Sequence, residues 1–228
     1  MDPYLRFVFI TGINKFAQLS IFSELNNLKN ISMLPEFSAV CGISQSELER
    51  VFPEQIEALA KAEGVSGERA LELLKENYDG YHFCVGSEDI YNPFSLLNAF
   101  SDRRFGKYWF ETATPTYLIE RLELKPIDER ELDRMEYVSA NEFNVSPEVT
   151  DNPLPLLYQT GYLTIKDYDK ELDSYTLGYP NKEVRSGFLD SLLAGYNGNN
   201  PSGASFVIRF NAALRKGDID AVSYTHLT

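Results

Sequence analysis

Five consecutive residues near the start of the chain, Thr11-Gly12-Ile13-Asn14-Lys15, place a hydroxyl, an amide and a cation close together. They end the apolar run 4–11 (YLRFVFIT), which is typical of a buried parallel strand. Polar groups at the carboxyl end of such a strand lie where α/β sheets bind ligands. Lys15 would act as a point charge on a nucleotide's terminal phosphate, with Asn14 or Thr11 orienting a water. A plain strand-to-helix turn accounts for the spacing equally well.

A second basic cluster, residues 103–107 (RRFGK), has part of the composition of a phosphate-binding loop. A P-loop requires glycine at the position that Ser101 occupies, and Ser or Thr at the position that Tyr108 occupies. No strand leads into the segment. We therefore interpret it as a basic surface turn.

Glu123-Leu124-Lys125 has the Glu-x-Lys spacing that metal-dependent nucleases place on a strand beside an Asp. Its surroundings, YLIERLELK, are helical in pattern, and no strand that carries an Asp precedes it. The end of an amphipathic helix is the favoured interpretation.

Histidine and cysteine are scarce, which limits the chemistry that the chain can perform. His82 and Cys84 lie close in sequence, but Cys41 is far away, and zinc sites need four ligands in recognisable pairs. His226, the other histidine, falls in a terminal segment that resembles a translated sequencing adaptor. We predict no catalytic residue and no metal ligand, and we expect both cysteines to be small core residues.

Composition favours a folded protein with an acidic surface. The 228 residues are 43% hydrophobic and carry a net charge of −13, so a sizeable core is expected, in one large or two small domains. Nucleic-acid binding usually requires Lys and Arg to neutralise phosphates, which disfavours that partner unless a local basic patch exists. Two cysteines, no basic leader and no apolar run of roughly 20 residues predict a cytoplasmic protein without a membrane partner.

The middle of the chain carries the signals of successive short helices. Ser44 and Glu47 form a predicted capping box, and Pro53 suits the first position of the next helix. Ser66 and Asn92 are predicted N-caps for helices over 69–78 and 93–100. Asp79-Gly80 predicts a turn that separates the two.

Residues 153–188 predict a compact helix–hairpin–helix. A short apolar helix ends at Gly161, and two alternating segments, 162–166 (YLTIK) and 174–179 (SYTLGY), predict strands joined by the polar loop DYDKELD. Asn181 is expected to cap the last helix, over 182–196. This plan matches a winged-helix module, which binds DNA in some proteins and serves as a packing lid in others. Upstream, residues 137–143 (YVSANEF) are predicted to be extended.

Five motifs in order resemble the bacterial AAA-ATPase-like proteins, a family often joined to a C-terminal PD-(D/E)XK nuclease domain. They are TGINKFAQLSIFSELNNLKNIS, ENYDGYHF, YNPFSLLNAF, YWFETATPTYLI and PLLYQTGYLTIK…YTLGYPNKEV. The match extends from about Phe7 to Asp220. Two positions depart from the family pattern. Asn14-Lys15 stands where relatives commonly have Ser-Arg, which keeps the charge but loses the bidentate fork of Arg. Ala113 stands where relatives usually have Gly.

The resemblance implies that the chain follows the phosphate-binding half of such an ATPase and precedes its nuclease. Thr11, Asn14 and Lys15 would form the sensor end that faces the γ-phosphate. ATP and Mg²⁺ would be cofactors of the longer protein, with neither bound tightly here because both Walker motifs are missing. The expected partners are that N-terminal half, a nuclease-like C-terminal domain and, through them, nucleic acid.

The expected fold class is mostly α with small β elements: a helical lid and a winged-helix-like domain, with one orphan strand from a P-loop core. The predicted divisions are an ATPase-core remnant (1–34), the lid (35–125), the winged-helix-like segment (126–196), a hinge and helix (197–222) and a tail that resembles a translated sequencing adaptor (223–228). The expected function is to couple nucleotide state to an attached effector. The alternative is a non-enzymatic helical or winged-helix adaptor that binds protein or DNA.

Overall fold

The computed structural model describes residues 6, 7, 9, 11, 12, 29–109, 118 and 131–196. Within these residues the helices are α1 (Gln45–Val51), α2 (Pro53–Glu63), α3 (Gly67–Tyr78), α4 (Pro93–Asp102), α5 (Ala140–Phe143), α6 (Leu154–Gln159) and α7 (Lys182–Tyr196). The strands are β1 (Met135–Val138), β2 (Thr164–Asp169) and β3 (Ser174–Gly178), and single 3₁₀ turns cover Pro35–Phe37, Glu131–Asp133 and Pro147–Val149. No helix in this part of the chain is both long and apolar enough to cross a membrane.

Helices α1–α4 form a helical unit, and its predicted caps are confirmed. The Ser44 and Glu47 side chains each bond to the other residue's backbone N–H in a capping box. Ser66 accepts from the Arg69 N–H, and Asn92 accepts at the start of α4. Local sequence therefore sets where these helices begin, since each cap satisfies N–H groups that lack intrahelical partners.

Strands β1–β3 form an antiparallel sheet in the spatial order β1-β3-β2. Leu177 on the central strand is the register partner of Met135 on one side and of Ile165 on the other. Helices α5 and α6 lie between β1 and β2 in sequence and pack against each other, and α7 follows β3. We call this assembly the sheet unit.

Each unit has its own buried apolar cluster. The cluster of the helical unit includes Leu48, Leu59, Leu74, Tyr78 and Tyr91. The cluster of the sheet unit is formed by residues of the sheet, α6 and α7. The segment between α3 and α4 is shared. Tyr78 and Tyr91 belong to the helical cluster, whereas Tyr81 and Ile90, which form an antiparallel bridge, belong to the sheet cluster. The boundary between the cores therefore passes through Asp79-Gly80.

The predicted class, mostly helical with small β elements, is confirmed, and three local predictions are corrected. Strand β2 continues to Asp169, three residues beyond the predicted end, because pairing with β3 extends to Asp169 opposite Ser174. Residues 137–143 are not extended throughout, since a capping box between Ser139 and Glu142 starts α5 directly after β1.

Four of the eight residues of the predicted orphan strand (4–11) lie outside the described residues. The other four are exposed, with Phe7 at 80% and Phe9 at 51%, and do not lie in a strand. At these positions the prediction of a buried strand is therefore wrong.

Leu157 provides a test of the sheet core, because it is 0% exposed on α6. Leu157→Ala should lower the free energy of unfolding by about 2–5 kcal/mol, through lost burial and the cavity left behind. Leu172→Ala is the matched control, since Leu172 is 61% exposed at the hairpin tip, and should change stability by less than about 0.5 kcal/mol. Urea unfolding followed by far-UV circular dichroism measures both. Equal losses would contradict the assignment of this core.

Candidate functional site

The predicted nucleotide-sensing residues are described only in part. Thr11 and its neighbour Gly12 are exposed, whereas Asn14 and Lys15 lie outside the described residues. The sensor assignment therefore stays a prediction from sequence.

The basic segment 103–107 has the structure of a helix end. Arg103 adopts a left-handed conformation (φ 53°) as the C-cap of α4. The Gly106 N–H donates to the Tyr78 hydroxyl over 2.9 Å, which fixes the backbone against α3. Lys107 pairs with Asp190 of α7. These contacts are structural, in agreement with the turn interpretation. Glu123 and Lys125 lie outside the described residues.

The scarce metal-ligating residues are dispersed. The His82 Nδ1 atom lies 3.0 Å from the Asp89 carboxylate. Cys84 is buried as predicted, but Cys41 is exposed, so the prediction that it is a core residue is wrong. Local sequence gave no sign of this, because Cys41 lies in the turns that precede α1, outside both packed clusters. Within the described part of the chain, no group of three or more His, Cys, Asp or Glu residues is placed to hold a metal.

The most extensive set of polar contacts among the described residues lies where the two units meet. We call this place the junction. It joins Asp79-Gly80, after α3, to Pro180-Asn181, before α7, about a hundred residues later. Gly80 has φ 91°, and a Cβ atom placed on it would lie 2.2 Å from the Pro180 carbonyl oxygen. Glycine is needed here for both its backbone conformation and its lack of a side chain.

Two side chains of the sheet unit bind backbone carbonyls at the junction. The Lys166 ammonium, from β2, donates to the Pro180 oxygen at 3.0 Å and to the Gly80 oxygen at 3.4 Å. The Asn181 amide nitrogen donates to the Asp79 carbonyl oxygen at 2.9 Å, while its amide oxygen accepts from the Val184 N–H. Asn181 thus caps α7, as predicted, and also anchors the end of α3.

A second pair of contacts continues the junction along β2. The His82 N–H donates to the Thr164 hydroxyl over 2.8 Å, and the same hydroxyl donates to the His82 carbonyl oxygen over 2.8 Å. Thr164 therefore pairs with His82 much as a neighbouring strand would. This side chain was not singled out by sequence reasoning, because its partner is 82 residues away.

The segment after α4 is held by the start of α7. The Trp109 N–H donates to the buried Glu183 carboxylate over 2.9 Å. The Trp109 ring meets the Tyr162 ring edge-on, with centroids 4.9 Å apart, and Tyr162 in turn packs on Phe188. Through these contacts α7 touches chain segments from both units.

Burial dominates the electrostatics of the junction. It raises the pKa of the Asp79 carboxyl, which is only 3% exposed, and lowers the pKa of the Lys166 ammonium. Lys166 leaves much of its side chain exposed, but its ammonium is withdrawn onto the two carbonyls. Burial also raises the pKa of Tyr162 to about 12. The junction is thus built to hold two units together.

Comparison with known proteins finds one long relative. The chain is 35% identical over 202 residues to the "Uncharacterized protein in vnfD 5'region" of Azotobacter chroococcum mcd 1; the alignment covers 86% of this chain and 36% of that protein. The chain thus spans about a third of the length of the curated relative it matches. No family model matches the chain. No solved structure matches it either.

Gly80 and Gly86 form a matched pair for testing the junction. Both have positive φ (91° and 79°), but a Cβ atom on Gly86 would meet nothing within 4 Å. Gly86→Ala should cost about 1–2 kcal/mol of unfolding free energy, from backbone strain alone. Gly80→Ala should cost roughly 1–3 kcal/mol more, because the added methyl displaces the Pro180 carbonyl. Chemical denaturation of both variants decides the matter, and similar losses would show that the close approach is unimportant.

Proposed function

We propose that this chain supplies the sensor and lid portion of an AAA-like ATPase and couples nucleotide state to an attached effector domain, without being catalytic alone. The observation that carries the proposal is the junction, combined with the family resemblance. Two of the motifs that resemble the family, ENYDGYHF and YTLGYPNKEV, contain the Asp79-Gly80 and Pro180-Asn181 pairs that meet there. Motifs far apart in sequence thus join the helical unit to the sheet unit, as a lid that transmits force requires.

The order of elements in the sheet unit supports a winged-helix assignment for it. Two short helices lie between β1 and β2, a hairpin follows, and the last strand lies between the other two. In a DNA reader of this plan, the helix before the hairpin presents polar side chains to base edges. Here that helix is α6, in which Leu154, Pro155, Leu156 and Leu157 are all buried. These four side chains of α6 therefore pack against the protein interior and do not face DNA.

The hairpin itself also favours a packing role over DNA binding. Residues 167–173 (DYDKELD) carry four acidic residues and one lysine, so the tip would repel a phosphate backbone. The adaptor that binds DNA therefore has less support than the lid, and an adaptor that binds protein remains the second candidate.

Nucleotide titration tests the claim that the chain is incomplete for catalysis. Isothermal titration of Mg–ATP into the 228-residue chain should give no tight binding, because the P-loop that holds the β- and γ-phosphates is missing. A submicromolar dissociation constant would contradict the proposal.

Lys15 tests the sensor role in a longer protein that also carries an upstream P-loop half. Lys15→Ala should lower ATP turnover by about tenfold or more, equivalent to at least about 1.4 kcal/mol of transition-state stabilisation, with little change in melting temperature. Lys170→Ala removes an equal charge at the hairpin tip and serves as the control. Unchanged turnover in Lys15→Ala would remove Lys15 from the site.

A mobility-shift assay separates the lid from the DNA-binding adaptor. At low salt, where phosphate contacts are strongest, the whole chain should not shift duplex DNA. Binding that weakens steeply with added salt would favour the adaptor.

A further inference from the structure

The junction contains the buried carboxyl of Asp79 and the ammonium of Lys166, whose hydrogen bonds go to backbone carbonyls. Asp79 lies in the interior, and its Oδ1 atom has no hydrogen-bond partner among the described residues. The neighbouring Lys166 ammonium directs its hydrogens to the Gly80 and Pro180 carbonyls. An acceptor buried without a donor destabilises the arrangement that buries it. The closed junction therefore contains an unfavourable contact that opening would relieve.

Asp79 and Lys166 lie where movement of one unit against the other would alter their contacts. Asp79 stands at the boundary between the two cores, one residue after Tyr78 of the helical cluster and two before Tyr81 of the sheet cluster. The Lys166 ammonium spans that boundary, since it bonds to Gly80 on one side and to Pro180 on the other. Any motion of one unit against the other must change these bonds.

We propose that Asp79 and Lys166 form a proton-controlled latch: with Asp79 neutral the two units stay closed, and ionised Asp79 loosens them by competing with the carbonyls for the Lys166 ammonium. A neutral carboxyl leaves the ammonium on its two carbonyl oxygens. An ionised carboxylate either draws the ammonium away or draws water into the boundary, because its Oδ1 atom has no hydrogen-bond partner in the described part of the chain and the Gly80 N–H alone does not offset the cost of a buried anion. The latch is a property of the junction itself and does not depend on nucleotide binding.

The charges around Asp79 fix the direction of the effect. Burial is the largest influence and raises the pKa of Asp79, whereas a hydrogen bond from the Gly80 backbone N–H lowers it. Of the nearby charges, Asp89 raises this pKa and Lys75 and Lys166 lower it. The Asp79 charge in turn raises the pKa of Tyr91. Because the raised pKa means that the closed state binds the proton more tightly, closure is favoured at low pH. Closure is then lost as the pH rises from the ordinary value of 3.8 through the raised one.

Hydrogen exchange by mass spectrometry on the whole chain tests the latch. Wild type and Asp79→Asn are compared at about pH 7.5 and about pH 5 as protection factors, with the intrinsic exchange rate of each sequence at each pH divided out. Each unit of pKa shift is worth about a tenfold change. At the higher pH, peptides that cover 79–83 and 164–166 should exchange more slowly in Asp79→Asn, since its side chain is always neutral. The difference should shrink at the lower pH. Peptides from α6 should be unaffected.

Two further variants make the outcome decisive. Glu88→Gln makes the same chemical change at an exposed position of the loop between α3 and α4 and should leave exchange unchanged. Lys166→Met removes the ammonium and should speed exchange of 79–83 at both pH values. Equal rates for wild type and Asp79→Asn at both pH values, faster exchange in Asp79→Asn, or unchanged exchange in Lys166→Met would each overturn the latch.

Discussion

The close approach of Gly80 to the Pro180 carbonyl is the constraint on which the rest of the structure depends. A turn with φ 91° brings the end of α3 against the start of α7, with no room for a side chain between them. Only this approach lets Lys166 reach both carbonyls and lets Asn181 reach the Asp79 carbonyl. Two cores that are separately packed are thereby held in register by hydrogen bonds from polar side chains to backbone carbonyls.

This arrangement unites rigidity inside each unit with a polar boundary between them. The cores rest on fully buried residues such as Leu74 and Leu157, where any motion would create cavities. At the boundary, hydrogen bonds to carbonyls and a buried carboxyl stand beside the apolar contacts that Tyr81 and Ile90 make with the sheet cluster. The polar contacts exchange with water at lower cost than apolar packing does. A lid that reports on a bound nucleotide needs this combination, because it must move as a body and still respond to a small change of charge.

The sheet unit shows why a topology does not decide a function. Its strand order and paired short helices resemble a winged-helix plan. However, Leu154, Leu156 and Leu157 of α6, the helix before the hairpin, are buried, and the hairpin tip is acidic. The surface chemistry points to packing. The matched region is 36% of the Azotobacter relative.

Sequence alone determined the elements whose signals are local. The Ser44–Glu47 capping box, the proline at the start of α2, the Asn92 cap and the glycine turn at Gly161 follow from short-range hydrogen bonding and backbone sterics. It was less successful for the length of β2, which pairing with β3 decides. It also missed the helix at 140–143, although the Ser139–Glu142 capping box that starts this helix is a local signal. Of the proposed sensor residues, the described structure reaches only Thr11. Tertiary structure alone revealed the junction, because Thr164, Lys166 and Asn181 each have a partner, His82, Gly80 and Asp79, that is more than 80 positions away, and no periodicity records such a distance.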